Sequence, residues 1–414
     1  MLHRLLSGDL PRSRILTTVL LVIVLGLALA PFLTAGARPL NTAATICIYI
    51  VLVASYDLLL GYTGIVSFAH TMFYGIGAYG IGLALARVDE PTWGVAMTGL
   101  GIALLLALAL ALVVGLFALR VRAIFYAMIT LAVASSFAVL ASQLSDLTGG
   151  EDGVTFSVPE VLSPSFLLFE NEVFGRYIDG KVLTYYLVFV GCLLLFLFLL
   201  RLVNSPFGRV LQAIRENEFR AEALGYRTMV YRIWANCLAA LVAALAGALM
   251  ALWLRYVGPK TSLGFEVMTD ILLIVVIGGM GTMYGAVIGA TLFILAQNYL
   301  KELMAHGATA LDGVPLLAAA LHPDRWLLWL GVLFILSIYF FPIGIVFGGA
   351  ELHNNPHANP ASAKLSMKWW EFDSGYLVLR VLAFLRLATI NRVDRLPAGD
   401  QPQAGRHVAG AAGQ

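Results

Sequence analysis

Side chains able to do chemistry are scarce in this chain, and the densest group of them lies in one short stretch. From Ser205 to Gly225 the sequence carries Arg209, Arg215, Glu216, Glu218, Arg220 and Glu222. Pro206 suits a first helical turn and Gly225 a helix C-cap. Val210, Ile214, Ala221 and Leu224 supply an apolar edge, and a break is expected near Asn217. Mixed charges beside an apolar edge fit a helix that docks on a partner, and they also fit a solvated loop helix. Elsewhere, Ser67 and His70 stand in apolar surroundings. Polar groups at membrane depth face an interior or water; alternatively, His70 hydrogen-bonds a neighbouring backbone group. Asp57 lies one turn before Gly61 and Asp270 opens an apolar run, so each suits a helix cap or an interface and neither reads as a proton carrier.

Catalytic patterns are missing from the sequence. It contains no Gly-x-x-x-x-Gly-Lys-Ser/Thr phosphate loop. Gly258-Pro259-Lys260-Thr261-Ser262 is superficially similar but lacks the glycine spacing that lets backbone N–H groups surround phosphates. No His, Cys, Asp or Glu group has metal-ligand spacing. Cys47, Cys192 and Cys237 each lie inside an apolar run and read as small buried hydrophobes. Any uphill work by this protein has to be driven by an ATPase on another chain.

The elements that position these residues are apolar throughout. Of 414 residues, 60% are hydrophobic and 12% charged, and the mean hydropathy is +0.88. Soluble domains average about 45–50% and about 25% respectively. So few charges cannot cover a water-facing surface, which makes the chain an integral membrane protein. A disordered chain, a nucleic-acid-binding protein and a secreted disulfide scaffold are excluded by the same numbers. A span needs about 20 apolar residues. Runs of that kind are predicted at 15–35, 42–60, 64–86, 93–119, 123–143, 183–203, 233–254, 267–283, 284–300 and 326–347. The expected fold is all-α, a polytopic transmembrane helix bundle of about ten spans. The first run is longer than a signal peptide's apolar region of about 7–15 residues, so it reads as a retained span. Glycines interrupt the third run and the eighth-to-ninth pair. Backbone broken inside a membrane is either buried in protein or lines a cavity.

Lys and Arg concentrate in short cytoplasmic loops. Arg4, Arg12 and Arg14 precede the first span, and Arg120 and Arg122 follow the fourth. Arg201, Arg209, Arg215, Arg220, Arg227 and Arg232 fall in the loop 201–232, whereas loop 144–182 is acidic. Ten crossings with both termini cytoplasmic satisfy all of these placements. The expected organisation is a cytoplasmic N-terminus 1–14, a membrane domain 15–347 and a cytoplasmic tail 348–414. Within the tail, residues 369–390 suit a helix lying in the membrane interface or one packed against a partner subunit.

Four stretches, in order, resemble one family. They are Leu58-Leu59-Leu60-Gly61-Tyr62-Thr63-Gly64-Ile65-Val66-Ser67-Phe68-Ala69-His70 running on through Gly75 and Gly77; Thr148-Gly149-Gly150-Glu151-Asp152-Gly153-Val154; Glu222-Ala223-Leu224-Gly225 within Ser205 to Gly225; and Val275-Val276-Ile277-Gly278-Gly279-Met280-Gly281-Thr282. Together they are similar to the branched-chain amino acid permeases of bacterial ABC importers, LivM-type subunit, across residues 40–347. The tail beyond residue 350 has no counterpart in that resemblance.

The resemblance implies a bacterial inner-membrane, multi-pass subunit with no catalysis of its own. Its partners would be a second related permease, two cytoplasmic ATPases that use the ATP, a periplasmic amino-acid-binding protein and the lipid bilayer, with no nucleic acid and no cofactor on this chain. It places ATPase coupling in the loop 204–232, on Arg215, Glu216, Glu218, Glu222, Ala223 and Gly225. It places the substrate pathway on Gly61, Gly64, Ser67, His70, Gly75, Gly77, Gly149, Gly150, Asp152, Gly153, Gly278, Gly279 and Gly281. The residues themselves leave two readings of these glycines open: close helix packing, or broken segments whose backbone groups face a pathway. Gly149, Gly150 and Gly153 also permit a turn with positive φ, which Asp152 could close with its carboxylate. A urea or short-amide permease of the same family is the nearest alternative; an ion-coupled secondary transporter would need better-placed intramembrane carboxylates.

Overall fold

The computed structural model describes residues 14–33, 36–118, 121, 123–168, 177–310 and 322–340. The N-terminal arginines Arg4 and Arg12, the arginines Arg120 and Arg122, and the tail 348–414 with its expected helix 369–390 lie outside the described residues. Residues up to Ile335 form one compact unit. Of a second unit that begins at Leu336, only 336–340 are described, as the end of a helix.

The helices are α1 Arg14–Leu33, α2 Ala37–Thr63, α3 His70–Ala86, α4 Trp93–Ala118, α5 Ala123–Gln143 and α6 Gly180–Val203. Two short ones follow, α7 Pro206–Glu216 and α8 Glu218–Ala223. Then come α9 Thr228–Leu254, α10 Phe265–Gly278, α11 Met283–Ala310 and α12 Trp326–Phe340. Among the described residues, eight segments are long and apolar enough to cross a membrane: α1, α2, α4, α5, α6, α9, α11, and α10 with the turn Pro259–Ser262 that precedes it. The remaining two predicted spans give α3, at 17 residues, and α12, whose described part has 15. The outward surfaces of α1, α4, α5 and α6 carry Leu25, Leu105, Ile124 and Leu194, all exposed. A water-soluble protein would not tolerate that arrangement over whole helices, and lipid accommodates it.

Burial is concentrated in α2, which packs against α6, α9 and α11, and in α3, which packs along α9 and α4. The α3–α9 contact depends on missing side chains. A Cβ on Gly77 would fall on the Ala244 backbone, and one on Gly247 would fall on the Tyr74 carbonyl. The two helices therefore touch backbone to backbone, the close approach that small residues allow in membranes. Gly75 is likewise filled, by Leu263 and the Ser262 carbonyl. Gly75 and Gly77 thus sit inside a continuous helix, and the interruption of the third predicted span falls earlier, at 64–69. Overpacking in a close-packed core costs about 1–3 kcal/mol or more, and here the obstacle is backbone that cannot rotate away. Gly77→Val is accordingly expected to abolish accumulation of folded protein, read as loss of the monodisperse peak in detergent size-exclusion chromatography; a Gly26→Val control, with open space at its Cβ, should behave as wild type.

One feature of the fold departs from an all-helical expectation. Val154–Thr155 pairs antiparallel with Tyr256–Val257, a two-residue ribbon that ties the segment after α5 to the end of α9. Strands this short leave no periodicity to read in a sequence.

Candidate functional site

The end of α2 is where three of the four glycine-bearing stretches meet. The last carbonyls of a helix have no partner within it. Gly64 closes α2 in the left-handed conformation at φ 72°, and its N–H returns to the Leu59 carbonyl. The carbonyl of Gly61 is taken by the guanidinium of Arg215, which reaches in from α7. A cation at a helix C-terminus satisfies both the orphan acceptor and the helix dipole. The Arg215 stem passes 3.5 Å from where a Gly64 Cβ would lie.

From the other side, the turn 279–282 between α10 and α11 closes on the same point. It runs through Gly279 at φ 104° and Gly281 at φ 83°, a left-handed region that favours glycine. The Gly281 N–H donates to Asp57, at 2.9 Å from Oδ1 and 3.1 Å from Oδ2. Asp57 is 2% exposed. A Cβ on Gly61 would meet both Asp57 and the Gly281 nitrogen, and one on Gly281 would lie 2.8 Å from Arg215 Nη1. Gly278 is filled in turn by the Gly285 carbonyl. Asp57, Gly61, Arg215 and Gly281 therefore form one junction in which a side chain from α2, a side chain from α7 and the α10–α11 turn lock together.

The segment beyond that junction is the helix pair α7–α8. Ser205 caps α7 by accepting from the Gly208 N–H at 3.4 Å, and Pro206 fills the first turn. Asn217 is extended at φ −159°, which breaks the helix, and its side chain accepts from the Arg220 N–H at 2.9 Å to start α8. Val210, Ile214 and Ala221 turn inward onto Tyr231. Glu218 holds Arg232 of α9 by accepting from its two terminal guanidinium nitrogens, at 2.7 and 3.1 Å. Glu222 accepts from the Thr228 hydroxyl at 2.9 Å. These two acids, expected to face a partner, are thus engaged within the chain. The outward residues include Glu216, Arg220, Ala223, Gly225 at φ 91°, Phe219 at 85% exposure and Leu224 at 72%, and Glu222 also remains exposed beside its bond to Thr228.

At the opposite end of the bundle, Thr148 to Val154 forms a tight turn. The Thr148 hydroxyl is shared between the carbonyls of Ala141 at 2.5 Å and Leu144 at 2.8 Å. Gly149, Gly150 and Gly153 all have positive φ, and Gly153 backs directly onto Val257 and Gly258. Asp152 does not close the turn with its carboxylate. Its carbonyl accepts from the Tyr256 hydroxyl at 3.0 Å and its side chain faces out. Beside this turn, Arg255 is partly buried, which pushes its pKa down; it donates to the Leu162 carbonyl at 2.9 Å.

Between the two ends lies the non-helical stretch 64–69. Ser67 accepts from the Ala69 N–H at 3.4 Å, at the start of α3. His70 Nε2 lies 2.9 Å from the Ser55 hydroxyl, whose proton is committed to the Leu52 carbonyl at 2.7 Å, so the imidazole is the donor. His70 thus meets the Ser55 side chain and, as the neighbouring backbone group expected from the sequence, the Leu52 carbonyl. Its Nδ1 is buried without a hydrogen-bond partner among the described residues, and the hydroxyls of Tyr56 and Tyr126 are buried nearby. Ser67 stands beside both tyrosines.

The family model for the permease component of branched-chain amino acid transport systems matches residues 38–338. The chain belongs to this permease family. It is 28% identical over 325 residues to the high-affinity branched-chain amino acid transport system permease LivM of Escherichia coli, covering 75% of each chain. To the probable branched-chain amino acid transport permease LivM of Methanocaldococcus jannaschii it is 26% identical over 330 residues, 72% of this chain and 90% of the relative. A shorter match, 35% over 98 residues, joins it to the autoinducer 2 import system permease LsrC of Yersinia pseudotuberculosis, covering 23% of this chain and 27% of the relative. No solved structure matches significantly. For this family member the structure separates the pathway residues expected from the sequence. Gly61, Gly64, Gly278, Gly279 and Gly281 gather at the junction under α7, whereas Gly149, Gly150, Asp152 and Gly153 lie at the far end. Ser67 and His70 sit between them, and Gly75 and Gly77 are packing positions. In the sequence Asp57 reads only as a cap or an interface group, because its partner lies 224 residues away along the chain.

Proposed function

We propose that this permease component is the membrane subunit of an ATP-driven importer of branched-chain amino acids, coupled to cytoplasmic ATPases through α8. One observation carries the mechanism: an exposed apolar tip, Phe219 and Leu224, mounted on a stiff bracket. Aromatic and aliphatic side chains left bare next to charged residues mark a docking surface. Glu218–Arg232, Glu222–Thr228 and Arg215–Gly61 join that tip to α9 and to the end of α2, so a push on the tip is delivered to the junction. There, Asp57 passes it to the α10–α11 turn.

The partners that fit are two ABC ATPases, a second permease of the same family and a periplasmic binding protein. The chain itself would bind no cofactor, and the ATP would be used by the ATPases. The arginine-rich loop 201–232 supports a tip on the cytoplasmic side of a bacterial inner membrane, with both termini on that side. Amino acids are favoured over urea by the full-length relatives, whose names are those of branched-chain amino acid permeases. Uptake by the reconstituted complex tests the reading. Labelled leucine, isoleucine or valine should accumulate only with ATP and a loaded binding protein. Uptake of urea or short amides alone would overturn the substrate class, and uptake driven by an ion gradient without ATP would overturn the mechanism.

A further inference from the structure

The end of the bundle away from the tip holds a pocket of about 250 Å³ that the account above does not use. Its walls are Ala138, Val139 and Ser142 from the last turns of α5, Glu151 from the glycine turn, and Pro259, Lys260 and Gly264 from the segment leading to α10. The two-stranded ribbon sets this arrangement. By pairing Val154 with Val257, it brings the turn at 150–153 over the turn at 259–262. Glu151 and Lys260 line the same pocket, and neither makes an ion pair among the described residues. The pocket therefore offers one anion, one cation and an apolar wall.

Its depth follows from the packing of α3. Val257 lies against Gly82 and Leu263 against Gly75. Seven residues of α-helix rise about 10 Å, so the chain descends by that much between the ribbon and Leu263. At the bottom, Phe265 stacks with Phe68, centroids 6.4 Å apart. Phe68 belongs to the non-helical stretch 64–69, and its N–H donates to Thr130 of α5 at 3.0 Å. Ser67 and the buried polar atoms of Tyr56, Tyr126 and His70 lie next along the chain or beside it. Discontinuous helices are where transporters of many folds expose backbone and polar groups to a solute. The pocket stands at the outer end of such a segment, with an aromatic pair between the two.

Resting on the amino-acid reading above, we propose that this pocket is the receiving site for the zwitterionic amino acid on the permease itself, with Glu151 taking the α-ammonium, Lys260 the α-carboxylate, and Ala138, Val139 and Pro259 the apolar side chain. A lone acid could not recognise such a solute, whereas opposite charges held apart across an apolar wall match its two ends. An uncharged solute such as urea can hydrogen-bond to these groups but brings no charge to neutralise either of them.

The test uses the complete importer in proteoliposomes, native cysteines replaced, with Val139→Cys as a reporter, since position 139 lines the pocket. Excess leucine should slow its modification by an impermeant thiol reagent at least threefold. N-acetyl-leucine, which lacks the ammonium, and leucinamide, which lacks the carboxylate, should not. Glu151→Gln or Lys260→Gln should remove the protection and lower labelled-leucine uptake at least fivefold, with binding-protein affinity unchanged; Lys260→Arg should restore both. Wild-type uptake without protection, protection that survives both variants, or losses explained by weaker binding-protein docking would overturn the pocket and leave the importer reading standing. Absence of amino-acid uptake by the wild-type complex would overturn the importer reading, and this proposal with it.

Discussion

Asp57→Ala is expected to cut leucine uptake by at least tenfold while the protein still inserts and assembles. The substitution strips the Gly281 N–H of its acceptor at a site where Asp57 is 2% exposed and water cannot replace it. A buried group left without its partner costs about 1–3 kcal/mol, and about 1.4 kcal/mol is a factor of ten in an equilibrium. That energy is lost from the junction that holds the α10–α11 turn against α2, so the population with the turn docked on α2 falls. The packing of α3 on α9 does not involve Asp57, and the bundle should survive. Asp57→Asn keeps an oxygen acceptor for the same N–H and should retain most of the uptake. Uptake of labelled leucine beside size-exclusion profiles checks both variants; equal losses in the two would show that the carboxylate does something other than accept from Gly281.

The tip carries the second large effect. Phe219→Asp together with Leu224→Asp should return ATP hydrolysis to its rate without the loaded binding protein and abolish uptake. Neither side chain supports the fold, at 85% and 72% exposure, so insertion should be unchanged. Gly225→Val should act in the same direction for a different reason. Its Cβ would meet nothing in this chain, but φ is 91°, which a β-branched residue tolerates poorly. The strain would rearrange the end of α8 where the partner sits. Glu222→Lys, by contrast, first breaks the bond to Thr228 and so loosens the bracket itself. Stimulated and unstimulated ATPase rates of the reconstituted complex distinguish these cases. Normal stimulation in the double aspartate variant would return α7–α8 to an ordinary solvated loop.

Much of this arrangement was legible in the sequence, and the rest was not for definable reasons. Long apolar runs gave the spans, because lipid leaves a helix no choice but to satisfy its own backbone. Ser205, Pro206, Asn217 and Gly225 marked the starts, the break and the end of α7–α8, since caps are local chemistry. The glycines around residues 64 and 279 announced interrupted segments. Gly75 and Gly77 looked the same but lie within α3, because a glycine serving close packing and a glycine serving a break are indistinguishable without the facing helix. α9 begins at Thr228, five residues before the predicted span, because Glu218 pairs with Arg232 and lets the helix continue out of the apolar region. The pairing of Asp57 with Gly281 and of the ribbon strands at 154–155 and 256–257 joins parts far apart in the chain. Such contacts are properties of the packed bundle and leave no local pattern.

The central claim, that the tip of α8 is where ATPase force enters the bundle, has one direct measurement. A cysteine at Leu224, in a background without the native three, should be joined to an ATPase subunit by a short bifunctional thiol reagent in membranes holding the complete importer. The yield should change when nucleotide is bound, and a cysteine at Ser145, at the other end of the bundle, should give no such product. A Leu224→Cys variant that never cross-links to the ATPase, or that reacts with an impermeant reagent from outside the cell, would contradict the account.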